Sequence, residues 1–411
     1  MFRDIKMKDL RANRWGYDFK ENPAPPPTLR QTQSALAKEG KSVLALAPGD
    51  PPAAGYPPPQ WLMDAVNQAM KDGRHGYRDT RTAELPIGIA KFEKEFSGVH
   101  YDPSDIFPVP SSTSAMVLCY LALLDEGDEI ISPEPIYQQY SFFANYYKTK
   151  MVKTNSFEDD RWQPDLDAIR KAVTDKTKFI IINNPNNPSG AVYDDKTLKG
   201  LIDIAGENEI MIFSDEIYTF LTFDIPQATS VAKLAKDVPV MLSNGMSKLF
   251  NITGWGLGYL AYHDPEDKMP ELRSAIRMLR GYCGRVASPV AVAAAYGYQN
   301  WKRAMEEVQP EVEDIRRRRD WVVKRIAEID GINLTTPEGS MFGLPDCVPA
   351  HGDVWKDDVD FLVQLMKEEL IGFVPGSNYY SLGHFRVGFL SSDENLRIGF
   401  DKLEKFMKRH T

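Results

Sequence analysis

The sequence predicts an α/β protein: a mostly parallel sheet flanked by helices, followed by a smaller α+β domain. Three observations carry this. Apolar runs free of charge, such as Phe179-Ile180-Ile181-Ile182, Ile210-Met211-Ile212-Phe213 and Val238-Pro239-Val240-Met241-Leu242, alternate with amphipathic helical segments. Strands bare of charge are strands buried on both faces, as in parallel sheets covered by crossover helices. Beyond about residue 330 the pattern changes to short strands with two helices, and the 411-residue length accommodates two such units.

Taken in order, Pro23-Ala24-Pro25-Pro26-Pro27 is a stiff extended piece, and 29–40 is a short helix stopped by Gly40. A strand at Val43-Leu44-Ala45-Leu46 runs into the proline-restricted turn Ala47-Pro48-Gly49-Asp50-Pro51-Pro52. Pro57-Pro58-Pro59 precedes a helix at 60–72, where proline is tolerated in the first turn. The alternation then predicts helices at 83–97, 112–124, 137–147, 164–173 and 195–207. It places strands at 105–109, 129–132, 149–153, 179–182, 210–213, 238–242 and 257–261. Helical patterns from 265 to 330 predict one long connecting helical segment. After it come strands near 332–335, 341–344, 372–375 and 384–389, a helix at 357–370 and a last helix at 393–408.

Composition excludes several function classes. Hydrophobic content is 43% and charged content 26%, as in globular proteins. A net charge of −9 disfavours nucleic acid or an anionic membrane as partner. The one basic run, Arg316-Arg317-Arg318-Arg319, has acidic residues a turn away and is expected to be a solvated helix face. Cys119, Cys283 and Cys347 are three in number, far apart and without a C-x-x-C pair, which argues against disulfides or a zinc site. Cys119 falls in an apolar helix and is expected in the core. No window approaches the roughly 18 apolar residues of a membrane span, and the N-terminus has no apolar signal region. A soluble cytoplasmic protein is expected.

Ligands of open parallel sheets bind beyond the carboxyl ends of the strands. There the sequence places Asn183-Asn184-Pro185-Asn186-Asn187-Pro188-Ser189-Gly190, Ser214-Asp215-Glu216-Ile217-Tyr218, Pro110-Ser111-Ser112-Thr113-Ser114 and Ser243-Asn244-Gly245-Met246-Ser247-Lys248. Taken singly, these are turns, helix caps and a loop lysine. Gathered at one sheet edge, they suit a phosphate-bearing aromatic cofactor. A hydroxyl-rich helix N-terminus binds an anion, an aspartate keeps a pyridine nitrogen protonated, and a desolvated lysine amine is freed as a nucleophile.

Pro185-Asn186-Asn187-Pro188-Ser189-Gly190, Asp215-Glu216-Ile217-Tyr218, and Ser247-Lys248 followed by Thr253-Gly254-Trp255 and Gly258-Tyr259 resemble the fold type I class I/II aminotransferases, which depend on pyridoxal 5'-phosphate (PLP). Gly127-Asp128-Glu129, Pro133-Glu134-Pro135-Ile136-Tyr137, Leu46-Ala47-Pro48-Gly49-Asp50-Pro51 and Phe385-Arg386-Val387-Gly388-Phe389 extend the likeness from about 43 to 390. The lysine segment and the Gly-Asp-Pro turn are most similar to the alanine and aspartate aminotransferase branch.

The resemblance implies a seven-stranded sheet in a large PLP-binding domain at 51–295, a small C-terminal domain at 296–411, and an N-terminal segment, 1–50, packing with the small domain. It implies an amino group moved between an L-amino acid and a 2-oxo acid through a Lys248 Schiff base, with Lys248 as the acid–base group. Asp215 would meet the pyridine nitrogen, Asn187 and Tyr218 the ring oxygen, and Tyr137 the ring face. Ser111, Ser112, Thr113 and Ser247 would surround the phosphate, with Tyr77 arriving from the partner of a homodimer. Arg386, helped by Gly49 and Asn187, would bind the substrate carboxylate.

The chain also departs from the pattern. Gly256 stands where the family commonly has a phosphate-binding arginine; either another arginine compensates, with Arg285 and Arg81 as candidates, or the chain is a weakened or repurposed variant, and compensation is expected. Ser111 stands at a usual glycine, and the stretch after Tyr77 lacks an expected glycine. Arg280, Arg285 and Arg74 are candidates for a second substrate arginine, and Trp15 and Tyr17 for the site entrance. Rival readings are a PLP lyase, decarboxylase, cyclase or oxidase on the same fold, and a non-catalytic PLP-binding regulatory protein.

Overall fold

A computed structural model describes residues 29–77, 80–282, 284–347 and 354–410, without the side chain of Arg81. Its centre is a seven-stranded sheet of β1 (Ile106–Val109), β2 (Glu129–Pro133), β3 (Lys150–Thr154), β4 (Thr177–Asn183), β5 (Met211–Asp215), β6 (Val240–Asn244) and β7 (Gly258–His263). Their spatial order is β1-β7-β6-β5-β4-β2-β3. The pairs β2/β3, β2/β4, β4/β5 and β5/β6 are parallel. β7 runs against both β1 and β6, an inversion that charge-free sequence cannot signal. Ile180, Ile212 and Leu242 are buried in one apolar layer, and Phe179, Phe213 and Met241 in the other. The alternation of side chains across a strand thus explains why these runs lack polar residues.

Most helices lie within two residues of expectation: Gln60–Lys71, Glu84–Phe96, Ser112–Leu123, Gln138–Tyr146, Leu166–Ala172 and Asp195–Glu207. Three expectations need correction. The 265–330 segment is not one helix but three, Pro270–Leu279, Ser288–Gln299 and Trp301–Ile326. Gly281 and Gly284 interrupt the first junction, Pro289 starts the second helix in its first turn, and Asn300 breaks the second junction. The 332–335 stretch is not a strand, because the Asp346 carboxylate holds Asn333 through its backbone N–H at 2.9 Å and its amide. Arg319 is not solvated: it is 1% exposed, donates to Pro337 O and Asp224 Oδ2 at 2.7 Å each, and lies over the Phe223 ring. The charge pattern of a helix face reports its neighbours on that helix, not what packs on it.

The smaller sheet joins Phe342–Gly343, Phe385–Gly388 and Val374–Pro375. The described part of the N-terminal segment is tied to the same region. Leu29–Lys38 packs on the helix Asp358–Glu369, and Leu44–Ala45 pairs in parallel with Ile371–Gly372. Cys119 is buried in the core, Cys283 lies outside the described residues, and so do Trp15 and Tyr17. No described helix is long and apolar enough to cross a membrane.

The antiparallel return brings Gly258, the first residue of β7, to the carboxyl edge of its neighbours, paired with Val109. A Cβ at Gly258 would fall 2.5 Å from Ser111 C and Ser112 N. Both are backbone atoms and cannot rotate away. Gly258→Ala is therefore expected to destabilise the protein by about 1–3 kcal/mol, as overpacking does. A denaturant midpoint unchanged by this substitution would show that the helix start is free to move.

Candidate active site

The carboxyl edge of the sheet encloses a cavity of about 290 Å³. Its wall includes Ser112, Thr113, Tyr137, Asn187, Asp215, Tyr218, Ser247 and Lys248 of the expected set. They come from five strand ends up to 136 residues apart in sequence (112 to 248), so the parallel topology assembles the site.

Asp215 ends the central strand β5 and is buried. Burial pushes its carboxyl up to about 6, against the pull of two hydrogen bonds. Tyr140 Oη donates to Oδ2 at 2.8 Å and the Ile217 N–H to Oδ1 at 3.3 Å. An acid raised yet held by donors is suited to meet a cationic ring nitrogen. The Asn183 side chain, next door at the end of β4, joins the Asp215 backbone to a second wall residue: Nδ2 donates to the Asp215 carbonyl at 2.9 Å, and Oδ1 accepts from Asn187 N at 2.7 Å.

Lys248 sits in the short helix Met246–Leu249 after β6. Burial pushes its ammonium down to about 8, opposed by Asp50 and aided by Arg386. Nζ donates to Gly49 O, which brings the Gly-Asp turn onto the lysine. The next turn contact is Thr253 Oγ1 to Asp50 Oδ1.

Tyr137 and Tyr140 stand edge to face with centroids 5.5 Å apart. Burial raises the Tyr137 phenol to about 12 and raises that of Tyr218 as well, so both are neutral donors at physiological pH.

The anion end is built differently from expectation. Ser111 caps the helix Ser112–Leu123, its Oγ accepting from Ser114 N at 3.0 Å, and it is absent from the cavity wall. Ser112 and Thr113 hold the wall, where the first N–H groups of the helix have no intrahelical acceptor. Thr113 Oγ1 donates to Gln139 Oε1 at 2.8 Å, and Ser247 Oγ to Leu257 O at 3.3 Å. Among the described wall residues Lys248 is the only cation. Gly256 has φ 68°, and a Cβ there would lie 3.2 Å from Pro110 O. The left-handed backbone itself favours glycine at this position.

Tyr77 is 87% exposed and lies outside the wall, and Arg285 Nη1 donates to its carbonyl at 3.1 Å. Arg280, over the Phe107 ring, and Arg74 are likewise outside the wall.

Arg386 adjoins the cavity through Asn187. Nη1 donates to Asn187 Oδ1 at 3.1 Å and Nη2 to Ala47 O at 3.2 Å. Its guanidinium lies 4.0 Å from the centre of the Phe342 ring and 5.3 Å from that of Tyr379. Nε is buried without an acceptor among the described residues, a vacancy that a carboxylate fills. Tyr140, Asn183, Gln139 and Thr253 are site residues the sequence reading missed. Tyr140 and Gln139 follow Tyr137 within one helical turn, and that proximity was the available signal.

The residues present fit PLP. The cavity has a buried acid for the ring nitrogen, a lysine of lowered basicity, phenols beside the ring space, and hydroxyls at a helix N-terminus for the phosphate.

Two outcomes follow. Cofactor-free protein should take up PLP with a rate that rises with pH to a midpoint of about 8, because the neutral amine is the nucleophile. A midpoint near 10 would contradict the buried niche. Tyr140→Phe removes a donor that stabilises ionised Asp215, so the acidic limb of activity should move to higher pH, with kcat/KM down about tenfold.

The model of the family "Aminotransferase class I and II" matches residues 41–403. An aspartate aminotransferase of Bacillus subtilis is 30% identical over 394 residues, covering 94% of this chain and 97% of the relative. The structure of an alanine aminotransferase from Pyrococcus furiosus superposes with a TM-score of 0.88 at 38% identity, covering 93% of this chain and 96% of that one. An aminotransferase from Escherichia coli superposes with a TM-score of 0.86 at 25% identity, covering 94% and 96%. With the lysine and the buried aspartate at one sheet edge and the arginine beside it on the small sheet, the chain belongs to the class I and II aminotransferases, in their aspartate and alanine branch, and is a PLP-dependent enzyme.

Proposed function

We propose that this enzyme transfers the amino group of a small neutral L-amino acid, alanine foremost, to a 2-oxo acid. The observation that carries the reading is the charge of the site. Arg386, beside the cavity, has an Nε with no acceptor among the described residues to offer an α-carboxylate, and the described cavity wall, whose one cation is Lys248, holds no arginine to receive a side-chain carboxylate. The 38% identity to a protein named alanine aminotransferase supports the same choice.

Bound PLP supplies an electron-withdrawing ring that stabilises negative charge at the substrate Cα. The chain's own residues do the rest. Asp215 would keep the ring nitrogen protonated, and Tyr140 and Asn183 keep Asp215 in place. Asn187 and Tyr218 would meet the ring oxygen, and Tyr137 the ring face. Ser112, Thr113 and Ser247 would receive the phosphate, with Ser111 fixing their helix. Lys248 would hold the cofactor, and its amine would take the proton from the substrate Cα and return it. A basicity near the working pH suits an amine that must both take and return that proton. Arg386 and the Gly49 backbone orient the carboxylate, which sets the Cα–H bond toward Lys248.

The reading includes a homodimer. Tyr77, Tyr282 and Met278 are exposed by 87, 84 and 67%, and Arg285 joins Tyr77 to the 280–285 segment. A second copy would cover these apolar residues and bring its Tyr77 to the phosphate. Arg285 follows Gly284, where a Cβ would lie 3.4 Å from the Pro110 side chain next to that helix start.

A spectrophotometric donor screen against pyruvate, oxaloacetate and 2-oxoglutarate tests the substrate class. Alanine should exceed aspartate in kcat/KM by at least about tenfold; the reverse order would mean that a second cation reaches the site from outside its wall. Lys248→Ala should cut turnover on the order of a thousandfold. Arg386→Lys should raise KM at least about tenfold, since lysine cannot make the forked contact.

A further inference from the structure

His384 immediately precedes the strand Phe385–Gly388 that carries Arg386. Both of its ring nitrogens face oxygen. Nδ1 lies 2.9 Å from Leu382 O and 3.1 Å from Ser381 Oγ, and Nε2 lies 3.2 Å from Glu158 Oε2. A carbonyl and a carboxylate only accept, so both contacts are satisfied together when both nitrogens carry protons. A neutral ring with its proton on Nδ1 would point an Nε2 lone pair at a carboxylate. With its proton on Nε2 instead, the neutral ring keeps Glu158 but without charge, and Nδ1 accepts from Ser381 Oγ while setting a lone pair against Leu382 O, so loss of one proton weakens the contact in either tautomer.

Glu158 belongs to a different part of the molecule. It lies on the excursion that leaves edge strand β3 as the short hairpin Ser156–Phe157 and Gln163–Pro164. Arg161 and Trp162 turn this hairpin with φ of 54° and 60°, two left-handed residues in succession. The turn places the Trp162 ring edge to face on His384, with centroids 5.4 Å apart. Two further contacts join the excursion to the chain beside the small sheet: Thr335 Oγ1 to Glu158 O at 3.1 Å, and Arg161 to Glu338 at 2.9 Å. The histidine side chain is 12% exposed and the glutamate 32%, so solvent screens the pair only in part.

We propose that His384 and Glu158 are positioning residues that latch the Arg386 strand to the large sheet and so set the affinity of the carboxylate clamp. The proposal rests on the reading of Arg386 as that clamp.

The sign of its pH dependence follows from the surroundings. Burial lowers the basicity of His384, but Glu158, the Leu382 carbonyl and Asp346, which bridges to it from the neighbouring chain segment, together outweigh burial and raise it. Glu158 and Asp346 are the charged groups facing it, and both are acids. The latch is thus strongest below the raised value and weakens as pH rises through it.

The test uses holoenzyme in its amino-carrying form and measures KM for a 2-oxo acid from pH 6 to 9, a range in which the substrate carboxylate does not titrate. Wild-type KM should be flat at the acid end and climb about fivefold to a plateau, with kcat within about twofold. His384→Gln and Glu158→Gln should each hold KM at the upper plateau already at pH 6, without a step, and the double variant should be no worse than either single one. A step that persists in both variants, or a KM at pH 6 that neither moves, overturns the latch. Arg386→Lys separates the two readings. If it raises KM while the glutamine variants leave the step intact, the clamp stands and the latch falls. If it leaves KM unchanged, the clamp itself is wrong.

Discussion

A carboxylate buried at the end of the middle strand is the constraint around which this structure is arranged. Asp215 pays a desolvation cost, and the protein leaves that cost partly uncompensated, since its carboxyl stays raised to about 6 despite donors from Tyr140 and Ile217. A fully paired aspartate would be content without a ligand. One that is held in place but under-compensated gains from a cation set against it, and a protonated pyridine nitrogen is such a cation. The same logic runs in reverse at Lys248, where burial makes the charged form of an amine unfavourable. The cavity therefore sets a buried acid and a buried base in one wall, each shifted toward neutrality, and both shifts come from the depth of the sheet edge.

A single stretch of chain links that edge to the small sheet. Leu46 O accepts from Gly388 N, Ala47 O from Arg386, Gly49 O from Lys248, and Asp50 from Thr253. Further along, Tyr56 donates to Asp314 at 3.0 Å and accepts from Arg318 at 2.7 Å on the long helix Trp301–Ile326. Five residues, Leu46 to Asp50, thus touch the arginine strand and the lysine segment at once. The approach is close: a Cβ on Gly388 would lie 2.7 Å from Pro48 O, and one on Gly49 2.8 Å from the Phe342 ring. Glycine at 388 and 49 is a requirement of packing. The His384–Glu158 contact ties the arginine strand to the large sheet on its other flank, so Arg386 is placed by two separate attachments.

The anion end shows how a local backbone decision redistributes a binding task. Residue 256 is left-handed beside Pro110, so glycine suits the loop and no side chain is available there. Hydroxyls and helix N–H groups remain, which would bind a phosphate through hydrogen bonds and the helix dipole rather than through a cation of the described wall. The Ser111 hydroxyl is consumed in capping that helix, which orients Ser112 and Thr113 without entering the cavity.

Strand alternation, the lysine segment, Asp215 and Asn187 were legible in the sequence by itself, whereas Arg386 stood out only through its resemblance to a family motif. Burial on both faces strips a strand of charge, and a strand's end is marked by the first polar residues after it. Such signals are local and survive without knowledge of neighbours. Tertiary structure alone decided what meets what. Tyr140 is one more aromatic in a helix until it lies against an aspartate 75 residues away. Arg319 has the sequence context of a solvated arginine, yet Phe223, Pro337 and Asp224 enclose it. The reversed direction of β7 leaves no trace in composition, because a buried strand has the same apolar content whichever way it runs. Hydrophobic pattern reports how much of a residue is covered. Direction, register and the identity of the covering group depend on the path of the whole chain.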